Sequence, residues 1–421
     1  MKLSSVEDAL AALRDRFPGP ARVYVAGCSG EPLAVADAVR ASPDLAGDLT
    51  FLGVWIPGVN RTDWAGLHQS ARAESIFVSP DLRSSFETGR TAFRPLAYTQ
   101  AWPWLRTTPL DAAFIMTTTP DAEGKVSLGV SADFAGAIFP RSDVFKIALV
   151  NRAMPRPKDS PTWALGSFDG FVEGDWPLLS TPSVDLAPAF GLLAANIAGL
   201  IEAGDTLQFG LGNVQQATLR ALTDHRGLKI HSGMVSDPVL ELLDAGAVVD
   251  APGAVTTGVA IGTAPLYARA AEDPRFSFRP VSYTHALANL ASIPAFKAVN
   301  SVIEVDLFGQ ANAEFLNGRQ ISGAGGLVDF LRGGQAATGG LGVAALVSTA
   351  KRGEVSRIVP RLPADATTIS RADMDVVATE HGVAELRGRS VDERAEALIA
   401  IAAPDHRDRL SNAWDEMRRA M

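Results

Sequence analysis

An α/β fold is the class this sequence predicts, on three observations. Short runs rich in β-branched and aromatic residues alternate with stretches whose apolar residues recur at helical spacing. Several joints between them are glycine turns leading from a strand straight into a helix, as where a parallel sheet presents a ligand-facing edge. With 421 residues, 47% hydrophobic and 20% charged, the chain has core enough for two or more domains. The alternation gives the class and leaves the topology open.

The first helix is predicted from Val6, Ala9, Leu10 and Leu13, which share one face behind a cap at Ser4 or Ser5. A strand over Arg22–Ala26 follows, then the turn GCSGEP and a helix over LAVADAVRA. Ser29 invites a nucleophile-elbow reading, but GCSGE lacks the second glycine of Gly-x-Ser-x-Gly. Cys28 reads as a small buried hydrophobe. Asp48–Trp55 and Ala113–Thr118 are buried strands, and Asp121, Glu123 and Gly124 form a turn. Arg156 is expected to be a solvated loop arginine, with an anion partner as the alternative.

Periodicity lapses between about Gly170 and Pro188, where FVEGDWPLLSTPSVDLAP carries three prolines, so a linker is placed there between domains spanning 1–180 and 189–421. The second domain opens with a helix over Phe190–Ala203 ended by Gly204. Strand TLQFG then runs into the loop GLGNVQQA and a helix to Leu222. Strand LKI leads to HSGMVSDPVLELLDAG, in which Asp237 and Pro238 start a helix that carries Glu241 on its solvated face. Further on, the segment from Ser301 to Pro360 reads as strand, loop, glycine cluster and strand, with Gly323, Gly325 and Gly326 in the cluster. Ser390 with Glu393 forms a capping box on the helix VDERAEALIAIAAP.

Composition narrows the partners. A net charge of −9 without a basic block argues against nucleic acid. The single cysteine excludes an internal disulfide and a cysteine-rich metal site, and no His/Asp/Glu spacing suggests a metal. The start MKLSSVEDALAALRDRF lacks the apolar core of a secretory signal, and no apolar stretch reaches membrane-spanning length. The expectation is a cytoplasmic protein with no membrane partner.

Two glycine loops are the candidate ligand-binding elements. In GLGNV the residues Gly210, Leu211, Gly212, Asn213 and Val214 open a helix, whose free N–H groups and positive dipole end suit an anion or oxyanion. In SGAGGLVDF the residues Ser322, Gly323, Gly325 and Gly326 let backbone N–H groups approach a phosphate, a thioester oxygen or an extended pantetheine arm. Either loop taken alone reads equally as a packing turn.

They are not alone. EVDLFGQ, SGAGGLVDF, STAKRGEVSRIVP and TEHGVAELRGRS stand in the order and spacing of the acetyl-CoA hydrolase/transferase family, which includes 4-hydroxybutyrate coenzyme A transferases, and this C-terminal half resembles that family. TTTPDAEGKVSLGVSADF and the run Asn151, Met154, Pro155, Arg156 resemble its first domain, and GTAPLYARAAEDP and FRPVSYTHALANL continue the likeness. The resemblance implies two related CoA-transferase-like α/β domains in tandem, with the active site in the cleft between them. It also implies coenzyme A as substrate or product, an acyl-CoA and a short-chain carboxylate as partners, and a homo-oligomer. Under it the two glycine loops contact coenzyme A, and Lys351 in STAKRG approaches its phosphate. His381 occupies a position where tyrosine is also usual.

At one position the chain departs from the pattern. Where the family has His-Ser-Glu-Met-x-Ser-Asp, this chain has HSGMVSD, so Gly233 stands in the slot of the catalytic glutamate. That carboxylate would attack the acyl-CoA and pass through an anhydride to a glutamyl-CoA thioester, and glycine supplies no nucleophile. Three readings follow. One is an acyl-CoA hydrolase with water held near His231 or Asn213; His231 also reads as a hydrogen-bonded strand-end histidine. Another is a CoA-transferase using a different carboxylate, Glu304 being the candidate, although the resemblance allows glutamine there. The third is a catalytically silent acyl-CoA binding protein. If the pocket around Gly233 is otherwise intact, Gly233→Glu should create CoA-transferase activity.

Overall fold

The structure, a computed structural model, describes residues 1–181, 186–363 and 367–420. The chain forms two compact units. The first comprises Met1–Pro182, Ala251–Thr284 and Ile321–Gly325; the second comprises Ser183–Asp250, His285–Gln320 and Gly326–Met421. Neither is the contiguous span expected from the proline-rich linker. Part of that linker is ordered as an edge strand, Gly170–Gly174, and residues 182–185 lie outside the described residues.

The first unit opens with α1 (Val6–Arg16), capped by Ser5, whose hydroxyl accepts from Asp8 N at 3.1 Å. Val6, Ala9, Leu10 and Leu13 are buried on its inner face as their spacing requires. Its sheet comprises β1 (Ala21–Val25), β2 (Leu49–Gly53), β3 (Arg72–Ser75), β4 (Thr91–Phe93), β5 (Ala112–Thr117), β6 (Phe145–Asn151) and β7 (Gly170–Gly174), in the order β4-β3-β2-β1-β5-β6-β7. Every pairing is parallel, and β5 is buried on both faces, which explains its unbroken apolar run. After β1 the Cys28–Gly30 turn leads to α2 (Leu33–Ala41). Asn60 pins that turn, its Oδ1 accepting from Cys28 N and from Ile56 N, both at 3.0 Å. Cys28 is buried, and burial first, then neighbouring Asp133, pushes its thiol well above its ordinary range.

Arg156 is half-buried and paired with a carboxylate rather than free in solvent. It donates to the Asp121 carboxylate at 2.5 Å, to Thr118 Oγ1 at 2.8 Å and to the Thr119 and Lys125 carbonyls, so it clamps the Asp121–Gly124 turn.

The second unit begins with α3 (Pro188–Ala198), shorter than the helix expected to Ala203. Gly204 sits in the turn beyond it at φ +90°, a conformation glycine adopts without penalty. The strands follow: β8 (Thr206–Phe209), β9 (Lys229–Val235), β10 (Phe296–Ser301), β11 (Leu341–Ala345), β12 (Val376–Thr379) and β13 (Gly382–Glu385). Their order is β9-β8-β10-β11-β12-β13, parallel except for the final antiparallel hairpin. Between β8 and β9 runs α4 (Asn213–Ala221), α5 (Pro238–Asp244) follows β9, and α6 (Leu327–Ala336) lies between β10 and β11.

The glycine cluster therefore opens a helix where a strand was expected. Two internal glycines disguise α6 in the sequence. Each is a close approach: a Cβ on Gly333 would lie 2.7 Å from Leu290 Cβ, and one on Gly334 2.5 Å from the Leu341 carbonyl oxygen. The unit closes with α7 (Val391–Ala400), which has the predicted Ser390/Glu393 capping box, and α8 (Pro404–Arg419), whose Leu410 and Trp414 join a core with Phe308, Ile369 and Leu398.

Both sheets reverse strand order beside their first strand, β1 against β5 in one unit and β8 against β10 in the other. In open parallel sheets the crevice beyond the carboxyl ends of the strands at such a reversal is where ligands bind.

Candidate functional site

In the second unit that reversal is built from polar side chains the core would otherwise exclude. Gln208 on β8 and Asn300 on β10 are buried as a pair, Asn300 Nδ2 donating to Gln208 Oε1 at 2.8 Å, which satisfies both amides across the strands. One step towards the carboxyl ends, the Gln215 amide and the Ser301 hydroxyl hydrogen-bond at 2.8 Å and tie α4 to β10. Beside them lies a cavity of about 320 Å³, lined by Val214, Ser301, Val302, Leu346, Thr349 and Arg357 among others, a size that takes part of a small-molecule ligand.

Two helices start at this end of the sheet with glycine N-caps and no capping side chain. Gly212 caps α4 at φ +122°, ψ −176°, a backbone region only glycine occupies freely, and Gly326 caps α6 at φ −90°, ψ 0°. Neither N-cap glycine has a side chain to bond the first-turn N–H groups, and each helix start carries a positive dipole end that suits an anion. Leu211 is half-buried, Asn213 is exposed and Val214 is buried on the first turn of α4.

Position 233 lies within β9, since the strand continues past the expected LKI to Val235. His231 and Gly233 share one face of the strand, and Ser232 on the other face donates to the Phe209 carbonyl at 2.7 Å. The space a side chain at 233 would enter is filled. A Cβ there would meet His285 Cε1 at 2.8 Å and Nε2 at 3.0 Å, and a Cβ on Gly326 would meet the same Nε2 at 2.4 Å. The His285 imidazole thus sits against two glycines from separate parts of the chain. It packs on Phe330 with ring centroids 4.3 Å apart, and the aromatic row continues through Phe296 to His231. Of the six histidines only His231 and His285 are buried, at 5% and 2% exposure. Burial first, then neighbouring His231, lowers the His285 pKa to about 3, so this imidazole is neutral at physiological pH.

The other expected residues are distributed as follows. Glu304 lies on a short strand, Glu304–Asp306, outside the cavity lining, with Asn312 Nδ2 donating to its carboxylate at 3.3 Å. Lys351 is exposed on the loop that continues from the cavity residue Thr349, and Lys351, Arg352 and Gly353 all have positive φ. Such strain in non-glycine residues is concentrated at ligand-handling loops.

Gly323 and Gly325 belong to the first unit, and protein contacts account for their missing side chains. A Cβ on Gly323 would lie 2.0 Å from the Ile76 carbonyl oxygen, and Gly325, at φ +57°, rests on Phe77 and Tyr98. Ser322 is half-buried beside them. His381 is exposed, with Nε2 3.7 Å from Glu380. Sequence reasoning passed over His285, although the block FRPVSYTHALANL contains it. Its one local signal is a lone histidine just before an apolar helix, and its meaning depends on glycines distant in sequence.

Comparison with known proteins gives the family and the fold. Residues 2–161 match the acetyl-CoA hydrolase/transferase N-terminal domain and residues 262–414 the corresponding C-terminal domain. The chain is 34% identical to a 4-hydroxybutyrate coenzyme A transferase of Clostridium kluyveri, covering 98% of this chain and 97% of that protein. It is 30% identical to an acetyl-CoA hydrolase of Kluyveromyces lactis over 50% of this chain and 40% of that protein. The crystal structure of RipA from Yersinia pestis superposes with a TM-score of 0.88 at 28% identity, over 97% of this chain and 99% of that one. With both domain models matched and the transferase likeness running nearly end to end, the chain belongs to the acetyl-CoA hydrolase/transferase family.

Proposed function

We propose that this protein hydrolyses a short-chain acyl-CoA, water attacking the thioester carbonyl with no enzyme carboxylate as nucleophile. The observation that carries the reading is at position 233: the strand end carries no side chain there, and the space beside it is occupied by an uncharged imidazole. In this reading the cavity beside Val214, Ser301 and Thr349 takes part of the pantetheine arm. The uncapped N–H groups at the starts of α4 and α6 stabilise negative charge on the carbonyl oxygen as the tetrahedral intermediate forms. Lys351 supplies a charge for a coenzyme A phosphate.

Glu304 has no role in this reading, since it is not among the residues that line the cavity and its carboxylate accepts from Asn312. The test is a trapping experiment. Protein incubated with acyl-CoA and then borohydride or hydroxylamine should show no acyl or CoA adduct in its intact mass while free thiol accumulates, and Glu304→Gln should behave the same way. A trapped glutamyl ester that vanishes in Glu304→Gln would establish transfer through that residue, and tight binding without turnover would establish a silent binding protein.

A further inference from the structure

We propose that the second unit carries a binding site for a phosphate dianion, inorganic or on a small organic phosphate, at a cavity formed by Phe308, Gln310, Arg361 and Arg371. The cavity measures about 250 Å³ and shares no lining residue with the one beside Val214 and Ser301, so the site is additional to the acyl-CoA reading and does not depend on it. The ring is fixed: Phe308 is buried and meets the Trp414 ring edge-on, with centroids 5.3 Å apart. Both arginines are exposed, yet each guanidinium is held over that one ring, Arg361 Cζ at 5.2 Å from its centroid and Arg371 Cζ at 5.6 Å. The aromatic face attracts the cations and brings two planar forks to one cavity.

The charge around this cavity is one-sided. Among the described residues the Arg371 guanidinium has no hydrogen-bond or ion-pair partner, and the polar contact of Arg361 is to the Met417 sulfur at 3.2 Å. A third guanidinium lies beside the turn: Arg394 Nη1 donates to the Arg371 carbonyl at 2.6 Å and the Phe308 carbonyl at 3.5 Å, and a Cβ on Gly309 would lie 3.2 Å from it. Burial first, then the charge of Arg371, lowers the Arg394 pKa, as expected where cations face one another. The neighbouring carboxylates are committed elsewhere. Asp306 accepts from Phe308 N, Gln310 N and Leu362 N and from Gln310 Nε2, and Asp373 pairs with Arg332. Asp375, which offsets part of the repulsion on Arg394, pairs with Arg387. Three guanidinium charges with no carboxylate paired to them among the described residues repel one another, and a bound anion removes that cost.

The same side chains narrow the ligand. Two guanidinium forks at one cavity suit the oxygens of a phosphate, which accepts from both at once. Gln310 adds a complementary group. With its Nε2 given to Asp306, its Oε1 has no partner among the described residues and is left to accept from a hydroxyl, as a hydrogen phosphate or a polyol phosphate carries. The cavity is smaller than the roughly 300–1,000 Å³ of typical ligand pockets, which fits a small anion.

The experiment titrates inorganic phosphate, and separately glycerol phosphate, into the full chain by calorimetry at neutral pH and constant low ionic strength, with chloride as the matched control. Arg361→Ala, Arg371→Ala and the double variant follow, with circular dichroism to check that each folds. Wild type should bind with saturation at one site. Each lost fork should weaken binding roughly ten- to hundredfold, and the double variant should lose it with coenzyme A affinity unchanged. Tighter binding of inorganic phosphate identifies the free ion as the ligand and tighter binding of glycerol phosphate an ester; both support the site. Absence of saturable binding by either probe overturns the proposal, as does wild-type affinity in the double variant or a response that chloride reproduces. Displacement of phosphate by coenzyme A also overturns it, because the cavity would then belong to the acyl-CoA site. Should the alanine variants fail to fold, Arg371→Lys decides, since it keeps the charge and loses the fork: weakened binding supports the proposal and unchanged binding overturns it.

Discussion

Replacing Gly326 with alanine should destabilise the second unit, and replacing His285 as well should relieve most of that cost. At Gly326 the backbone (φ −90°, ψ 0°) is open to alanine, so no conformational strain enters. Alanine would even stabilise by about 0.4–1 kcal/mol through the unfolded chain. Against this, the new Cβ would lie 2.4 Å from His285 Nε2 and 2.6 Å from Cδ2, about 1 Å closer than ordinary contact. The ring cannot retreat, because it is 2% exposed and Phe330 packs against it. Overpacking of this kind costs about 1–3 kcal/mol, so the net loss should be about 1–2 kcal/mol. Gly233→Ala should lose less, its Cβ meeting the ring at 2.8 and 3.0 Å. His285→Ala alone leaves a cavity and costs about 2–4 kcal/mol, by analogy with other buried rings and large side chains. The double variant Gly326→Ala/His285→Ala fills part of that cavity, so the two effects should fall short of additivity by about 1–3 kcal/mol. Urea unfolding followed by circular dichroism reads all four proteins. Full additivity, or a Gly326→Ala protein as stable as wild type, would refute the seating of the ring against the glycine.

Three further outcomes are expected. Gly212→Val forces a β-branched residue to φ +122°, a strain of about 1–3 kcal/mol that should be relieved by rearranging the exposed loop, so coenzyme A affinity should fall at least tenfold by calorimetry. Lys351→Ala should raise KM for acyl-CoA by about three- to tenfold at low ionic strength with kcat unchanged, the difference shrinking as salt is added; an unchanged KM would remove the lysine from the phosphate site. His285, with its pKa lowered to about 3 in the fold, binds a proton in the unfolded chain below about pH 6.5 but not in the folded one. Its contribution to stability is therefore fully present above that value and is lost as pH falls towards 3, at up to about 1.4 kcal/mol per pH unit. Urea midpoints from pH 7 to 4.5 should fall more steeply in wild type than in His285→Gln.

How much of this is legible in the sequence follows from how local each cause is. The α1 face, the Ser390/Glu393 box and the glycine turn into α4 are set by residues within a turn or two of one another, and they stand where the pattern puts them. The helix after the glycine cluster is hidden because Gly333 and Gly334 are there for close approach to Leu290 and Leu341, a tertiary requirement that locally imitates a loop. Gly170–Gly174 reads as linker by composition and becomes a strand because the open edge of β6 accepts it. Arg156 reads as solvated because its partners Thr118 and Asp121 are over thirty positions away. The deepest gap is at position 233. The missing side chain is plain in the sequence, whereas the ring in its place comes from residue 285 and is seated against residue 326. The expectation that Gly233→Glu creates a nucleophile holds only for an intact pocket, and a Cβ at 233 would meet His285 Cε1 at 2.8 Å and Nε2 at 3.0 Å.

The most direct measurement of the central claim is thiol release and acyl exchange from one set of incubations: a panel of short-chain acyl-CoAs, each with and without excess acetate, with free thiol read spectroscopically and CoA esters read by mass spectrometry. Direct water attack predicts stoichiometric release of coenzyme A thiol at a rate indifferent to acetate, with no new CoA ester. Acetate-dependent formation of acetyl-CoA from a different acyl-CoA, with no net thiol released, would contradict it.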